Sequence, residues 1–207
     1  WVFYDLITNK RYGLGKHISE TYQVDKWTLY EISKFCDTLV SNGEGGLEPR
    51  FTCNVLINTR EEAFKVIKDF ASVFRSMAYY GLGTINTVMD KPRDNVGQFT
   101  NANVKDGNFT YSSSSKKTIP TVCLIRYNDK TNFYKPALEY VENPEAIRKY
   151  GIREKEVTAF ACTSRSQAVR LGRWILSTEI SQTEQISFET GPEVLLLKPG
   201  DVISITD

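Results

Sequence analysis

The sequence predicts an α+β protein: a helical lobe containing a β-α-β unit, followed by a mainly antiparallel β-barrel or sandwich with one packed helix. Three observations predict it. Helical periodicity and helix-start residues concentrate before residue 97, in the runs opening near Asp25 and Thr59. Short β-branched and aromatic runs punctuated by turn residues dominate from residue 98 onward. Within that half, Tyr150–Leu176 reads as a strand, a capped turn and a helix folded back on the strand. The expected lobes are residues 1–97 and 98–207, with the turn cluster Lys91-Pro92-Arg93-Asp94-Asn95 near the boundary.

In order, Trp1–Ile7 reads as a short amphipathic turn or helix, and Thr8–Gly15 is turn-rich. Asp25 is placed to cap a helix carrying Leu29, Ile32, Phe35, Cys36 and Leu39 at helical spacing, which Asn42–Gly46 should end. The β-α-β unit follows. Its parts are a strand over Phe51–Ile57, a helix opened by a Thr59/Glu62 capping box, and a returning strand over Thr84–Met89. The helix places Ala63, Val66, Ile67, Phe70, Phe74, Met77 and Ala78 at three- and four-residue steps, and Gly81 and Gly83 should stop it. A right-handed crossover would set the two strands parallel.

In the second lobe, Val104–Tyr111 contains an Asp106-Gly107 turn, and Ser112–Ser115 with Lys116 and Lys117 reads as a solvated loop. Thr121–Tyr127 and Phe133–Val141 flank Asn128-Asp129-Lys130 as a hairpin. Asn143-Pro144-Glu145 opens a short helix that Gly151 stops. Glu154–Cys162 is expected as a strand covered on both faces. Ser164 and Gln167 match a capping box for a helix with Ala168, Leu171 and Ile175 on one stripe and Trp174 at its edge. Arg165, Arg170 and Arg173 lie mostly opposite. Gln185–Glu189 alternates, with Ile186 and Phe188 inward, and Val194–Leu197 and Val202–Ile205 form a final strand pair joined by Lys198–Asp201. Cores around Phe64, Phe70 and Phe74, and around Leu171 and Trp174, should fix the two lobes.

Composition narrows the chemistry. Twenty-six basic and 25 acidic residues nearly cancel, which gives no reason to expect nucleic-acid or membrane-surface binding. No run approaches the ~20 apolar residues of a membrane span, and no signal peptide opens the chain. A chain beginning at Trp1 is expected to be a segment of something longer. The scattered Cys36, Cys53, Cys123 and Cys162 have no CxxC spacing and read as buried thiols. The single His17 sits in a Gly/Lys-rich loop, so a Ser-His or Cys-His nucleophile lacks a placed base and zinc lacks its usual ligands. Tyr12–Lys16 misses the phosphate-loop spacing. Glu61 and Glu62 suit a helix N-terminus, while Glu142, Glu145, Glu154 and Glu156 read as solvated. No catalytic, cofactor-binding or metal-binding residue is expected.

Four blocks, taken together, resemble a known family. Trp1–Gly15, Asn58–Gly83, Asp90–Ser113 and Tyr150–Leu176 with the Lys198–Asp201 turn are similar to the central region of bacteriophage tail tip proteins of the host-specificity (tip attachment) protein J type. The resemblance covers nearly the whole chain. It implies a structural hub: a ring of three copies that caps the tail tube, meets the tube and other tip proteins, and holds the host-recognition tip. It further implies tube-like β-barrel domains, a place at the virion tail tip, and assembly in the cytoplasm of the bacterial host. The family's distal, fibre-like region is not matched, so receptor recognition is not expected of these residues. The competing expectations are a tail-associated cell-wall-degrading enzyme and a carbohydrate- or receptor-binding module.

Overall fold

A computed structural model describes residues 1–19, 23–58, 61–81, 83–113 and 118–207. Thr59 of the expected capping box and residues 114–117 of the expected serine–lysine loop lie outside the described residues. The first half begins with α1 (Val2–Thr8) and α2 (Lys26–Asp37), then the short hairpin β1 (Leu39–Ser41) and β2 (Leu47–Pro49). Asp25 caps α2 as its sequence position dictates: the carboxylate accepts from Thr28 N at 3.1 Å and from Thr28 Oγ1 at 2.7 Å. Leu29 and Ile32 are its buried residues. Leu39, expected on that helix, is instead a 60 % exposed strand residue, and Asn42–Gly46 forms the hairpin turn after it.

The β-α-β unit does not form. Phe51–Ile57 runs outside any strand, and α3 (Ala63–Val73) ends at Phe74, earlier than its apolar spacing suggests. Arg75 then adopts φ 53°, donating its N–H to Ser72 O, and turns the chain into β3 (Ser76–Gly81). Met77 and Ala78, which continue the helical spacing by coincidence, lie on this strand. Gly81 closes β3 and Gly83 takes φ 78° before β4 (Thr84–Met89), which pairs antiparallel with β3. The two strands on either side of the crossover are thus replaced by a hairpin after the helix. Phe70 is buried, Phe74 packs edge-on against Phe3 at 5.8 Å, and Phe64 is 48 % exposed beneath Lys68 Nζ. The first apolar cluster joins Phe3, Ile7, Leu29, Ile32, Ile67, Phe70 and Met89.

The second half contains β5 (Asn95–Thr100), β6 (Thr110–Ser113), β7 (Val122–Asp129), β8 (Lys135–Glu142), α4 (Pro144–Tyr150), β9 (Glu154–Thr158), α5 (Arg165–Ser181), β10 (Glu184–Ser187) and β11 (Val202–Thr206). β5 spans the boundary expected at residue 97. The class is mixed α+β, as the sequence predicts, but no barrel closes among the described residues. One sheet has the order β8-β7-β9, antiparallel then parallel, and the rest are two-stranded: β6 with β10 antiparallel, β5 with β11 parallel. Closure needs one unbroken ladder around the circumference, and these ladders are separate.

Local signals place several elements. Asn143 caps α4, accepting from Glu145 N and Ala146 N at 3.1 Å, and Gly151 ends it at φ 77°. The hairpin β7–β8 forms around Asp129, whose carboxylate accepts from Thr131 N, and Phe133 and Tyr134 follow with φ 54° and 58°. β9 stops at Thr158 and is largely exposed: it is an edge strand, with Val157 packed on the helix side and Lys155, on the same face, paired with Glu179 of α5. α5 lies across β7 and β8, with Ala168, Gly172, Ile175 and Leu176 buried. Leu171 is half-buried against this second cluster, as is Trp174, whose Nε1 donates to Asp90 Oδ2 at 2.8 Å. The expected strand Val194–Leu197 is a 3-10 turn over Pro192–Leu196, leaving β11 to pair with β5.

Candidate assembly surface

Two kinds of feature stand out on this fold: a polar clamp that joins distant segments, and apolar side chains left in solvent. The clamp forms where the N-terminus of α5 meets residues 48–54. Ser164 occupies the N-cap, but neither it nor Gln167 closes the expected capping box. Gln167, 6 % exposed, instead treats Thr52 as a strand neighbour. Its Oε1 accepts from Thr52 N at 3.0 Å and its Nε2 donates to Thr52 O at 3.1 Å. Asn54 continues the pairing, donating from Nδ2 to Thr163 Oγ1 and from its backbone N to Ala161 O. The extended run that the sequence suggests as a strand therefore finds its partner in side chains of α5 and the loop before it.

Glu48 on β2 completes the clamp. Its carboxylate accepts from Ser164 Oγ at 3.2 Å, from Ser166 Oγ, and from Arg170 Nη1 at 2.6 Å, with both side chains of the ion pair about one-fifth exposed. Burial alone would push the Glu48 carboxyl up; the donors on Ser166, Arg170 and Ser164 outweigh it and hold the group below its ordinary value. Arg170 also donates to Arg50 O, and Arg75 donates to Arg170 O. Burial and the nearby Arg170 and Arg50 charges depress the Arg75 guanidinium to about 10, partly offset by Asp90. Arg75 lies over the rings of Phe51 and Trp174 at 5.3 and 5.1 Å.

Among the exposed apolar side chains, three groups bear on assembly. Leu195 and Leu196 on the 3-10 turn are 82 % and 87 % exposed. Phe133 (88 %) and Tyr134 stand at the tip of the β7–β8 hairpin, above Leu138 and Tyr140 on the sheet face turned away from α5. Around α3, Tyr12, Ile57, Phe64 and Tyr80 rim a groove floored by Leu14 and Ile67. Sequence reading missed the turn and the hairpin tip because it took both for paired strands. No local signal separates the two readings at the turn, because Pro192 suits the start of a strand as well as that of a 3-10 turn. The two-stranded sheets add backbone to this inventory, since among the described residues no other strand pairs with β6–β10 or β5–β11. Ribbons of that size are marginal alone and present open edges.

Among the described residues, no three His, Cys, Asp or Glu side chains gather as metal ligands would, and no helix is long and apolar enough to cross a membrane. Cys123 and Cys162 are buried, Cys36 and Cys53 half-buried, and all four are free thiols. Burial pushes the Cys36 thiol up to about 11 and raises the other three, so the reactive thiolate is scarce at neutral pH. The carboxylates Glu139, Glu156 and Glu179 are taken up by Arg165, Arg126 and Lys155.

Known proteins resemble this chain along its full length. A family described as "Putative phage tail protein" matches residues 62–207. Tip attachment protein J of Escherichia phage SECphi27 is 42 % identical over 207 residues, covering 100 % of this chain and 17 % of that protein. Tip attachment protein J of Escherichia phage SECphi4 is 37 % identical over 209 residues, covering 100 % of this chain and 18 % of that protein. The chain thus spans less than a fifth of the length of these relatives. It belongs to the phage tail protein family.

Proposed function

We propose that this chain is a structural, non-enzymatic part of a phage tail tip hub, in which three copies form a ring that caps the tail tube and holds the host-recognition tip. The observation that carries the reading is full-length similarity to two tip attachment proteins J. Its surface supports an assembly role, because leucines 82 % and 87 % exposed on one turn and two ribbons with open edges are features that neighbouring chains cover. The partners are copies of itself, the tail tube and other tip proteins; the site of assembly is the host cytoplasm and the final place the virion. No cofactor enters. The test is to delete the segment corresponding to residues 1–207 from the phage and image the tails. Tails without an ordered tip are expected, whereas tails with a normal tip that fail only in wall degradation would overturn the reading in favour of an enzyme.

A further inference from the structure

We propose that the Pro192–Leu196 turn of one copy docks into the apolar groove beside α3 of a second copy. The proposal rests on the assembly reading above and names the surfaces through which copies meet. The groove consists of two adjoining recesses of about 460 and 230 Å³ that share Leu14, Ala63 and Ile67, with Ile57, Phe64 and Tyr80 along their rims. The turn offers Leu195 and Leu196, among the most exposed apolar side chains of the described residues, on a 3-10 turn opened by Pro192. A leucine pair entering such a groove removes apolar area of both partners from water.

Charge selects the same pairing. The loop beside the groove, residues 8–19, contains Lys10, Arg11 and Lys16 with no acid, and none of the three forms an ion pair among the described residues. The segment bearing the turn, residues 184–207, contains Glu184, Glu189, Glu193, Asp201 and Asp207 against Lys198, with Glu189 taken up by Lys105. A second copy therefore supplies both the apolar plug and the opposite charge. Geometry makes the contact head-to-tail. Gly200, just past the turn, sits on Val88, on the face of the β3–β4 hairpin that also bears Met77. Of the hairpin residues that line the groove, Ala78, Tyr80 and Ile85 lie on the opposite face and Tyr79 alternates to the face of Met77. One copy cannot satisfy its own groove, and a contact between different surfaces repeats into a ring or a filament.

The test uses this chain in two variants, Leu195→Glu/Leu196→Glu and Tyr80→Glu, all at exposed positions so that melting temperatures should hold. Sedimentation at rising concentration should show wild-type self-association that weakens with salt, and each variant should associate roughly tenfold or more weakly. Mixing the two variants should restore one contact and give a 1:1 dimer that grows no further. A wild-type chain that stays monomeric at high concentration, or variants that associate like wild type, would overturn the proposal. Either result leaves the tail-tip role standing, because that role fails only if tails build a normal tip without the segment.

Discussion

A Cβ on Gly172 would lie 2.8 Å from Val141 Cγ2 and 3.2 Å from Ile125 Cγ1, both on the sheet beneath α5. Val141 is β-branched and 5 % exposed, so it has little freedom to withdraw. Helix propensity alone favours Gly172→Ala by about 1 kcal/mol. Overpacking costs about 1–3 kcal/mol, so the expected net change is a loss of up to about 2 kcal/mol in urea unfolding. Ala161 presents the reverse case. It holds φ 54° in the loop before α5, where an alanine costs about 1–2 kcal/mol. Ala161→Gly removes that cost but adds about 0.5–1 kcal/mol of unfolded-state entropy, leaving a stabilisation of up to about 1.5 kcal/mol by the same measurement.

At the scale of elements, the sequence shows what is decided locally and hides what is decided at a distance. The caps at Asp25 and Asn143 and the hairpin around Asp129 act within a few residues, and each is legible. The end of α3 is not legible, because Arg75 turns the chain without glycine or proline and the apolar spacing runs on through Met77 and Ala78. Nor is the parallel pairing of β11 with β5, which joins residues about a hundred positions apart. The clamp belongs to this second kind: Glu48 reads as one more surface carboxylate until Ser164, Ser166 and Arg170 arrive around it. Glu48→Gln should cost about 1.5–3 kcal/mol at pH 7, the range for hydrogen bonds to a charged group. The Glu48 pKa is depressed by folding, so this stabilisation is present above the unfolded value of about 4.3 and is lost as pH falls through the folded value. Wild type and Glu48→Gln should therefore converge in stability in acid, as urea titrations across pH 2–7 would register; a gap independent of pH would mean that the carboxylate charge is not what holds β2 to α5.

For the whole molecule, the question is how two apolar clusters behave as one body. The clusters are joined by the Glu48–Gln167 clamp and by Phe160, which leaves the β9–α5 loop to pack in the first cluster, its ring edge-on to Phe70 at 5.4 Å. The turn at Ala161 follows directly and returns the chain to Cys162, buried in the second cluster. One side chain therefore crosses from the second half into the core of the first, which sequence periodicity had placed simply on one side of a strand. Phe160→Ala removes that crossing and should cost about 3 kcal/mol, near the low end for a core phenylalanine because the ring is only half-buried. The loss should fall on the first cluster alone. Calorimetry of the wild type should give equal calorimetric and van't Hoff enthalpies, and Phe160→Ala should give two overlapping transitions with the calorimetric value the larger. If the variant instead melts in one step at lower temperature, the polar contacts couple the halves without Phe160, namely the clamp together with Trp174–Asp90 and Arg75–Arg170, and Gln167→Ala in the Phe160→Ala background becomes the next substitution to separate them.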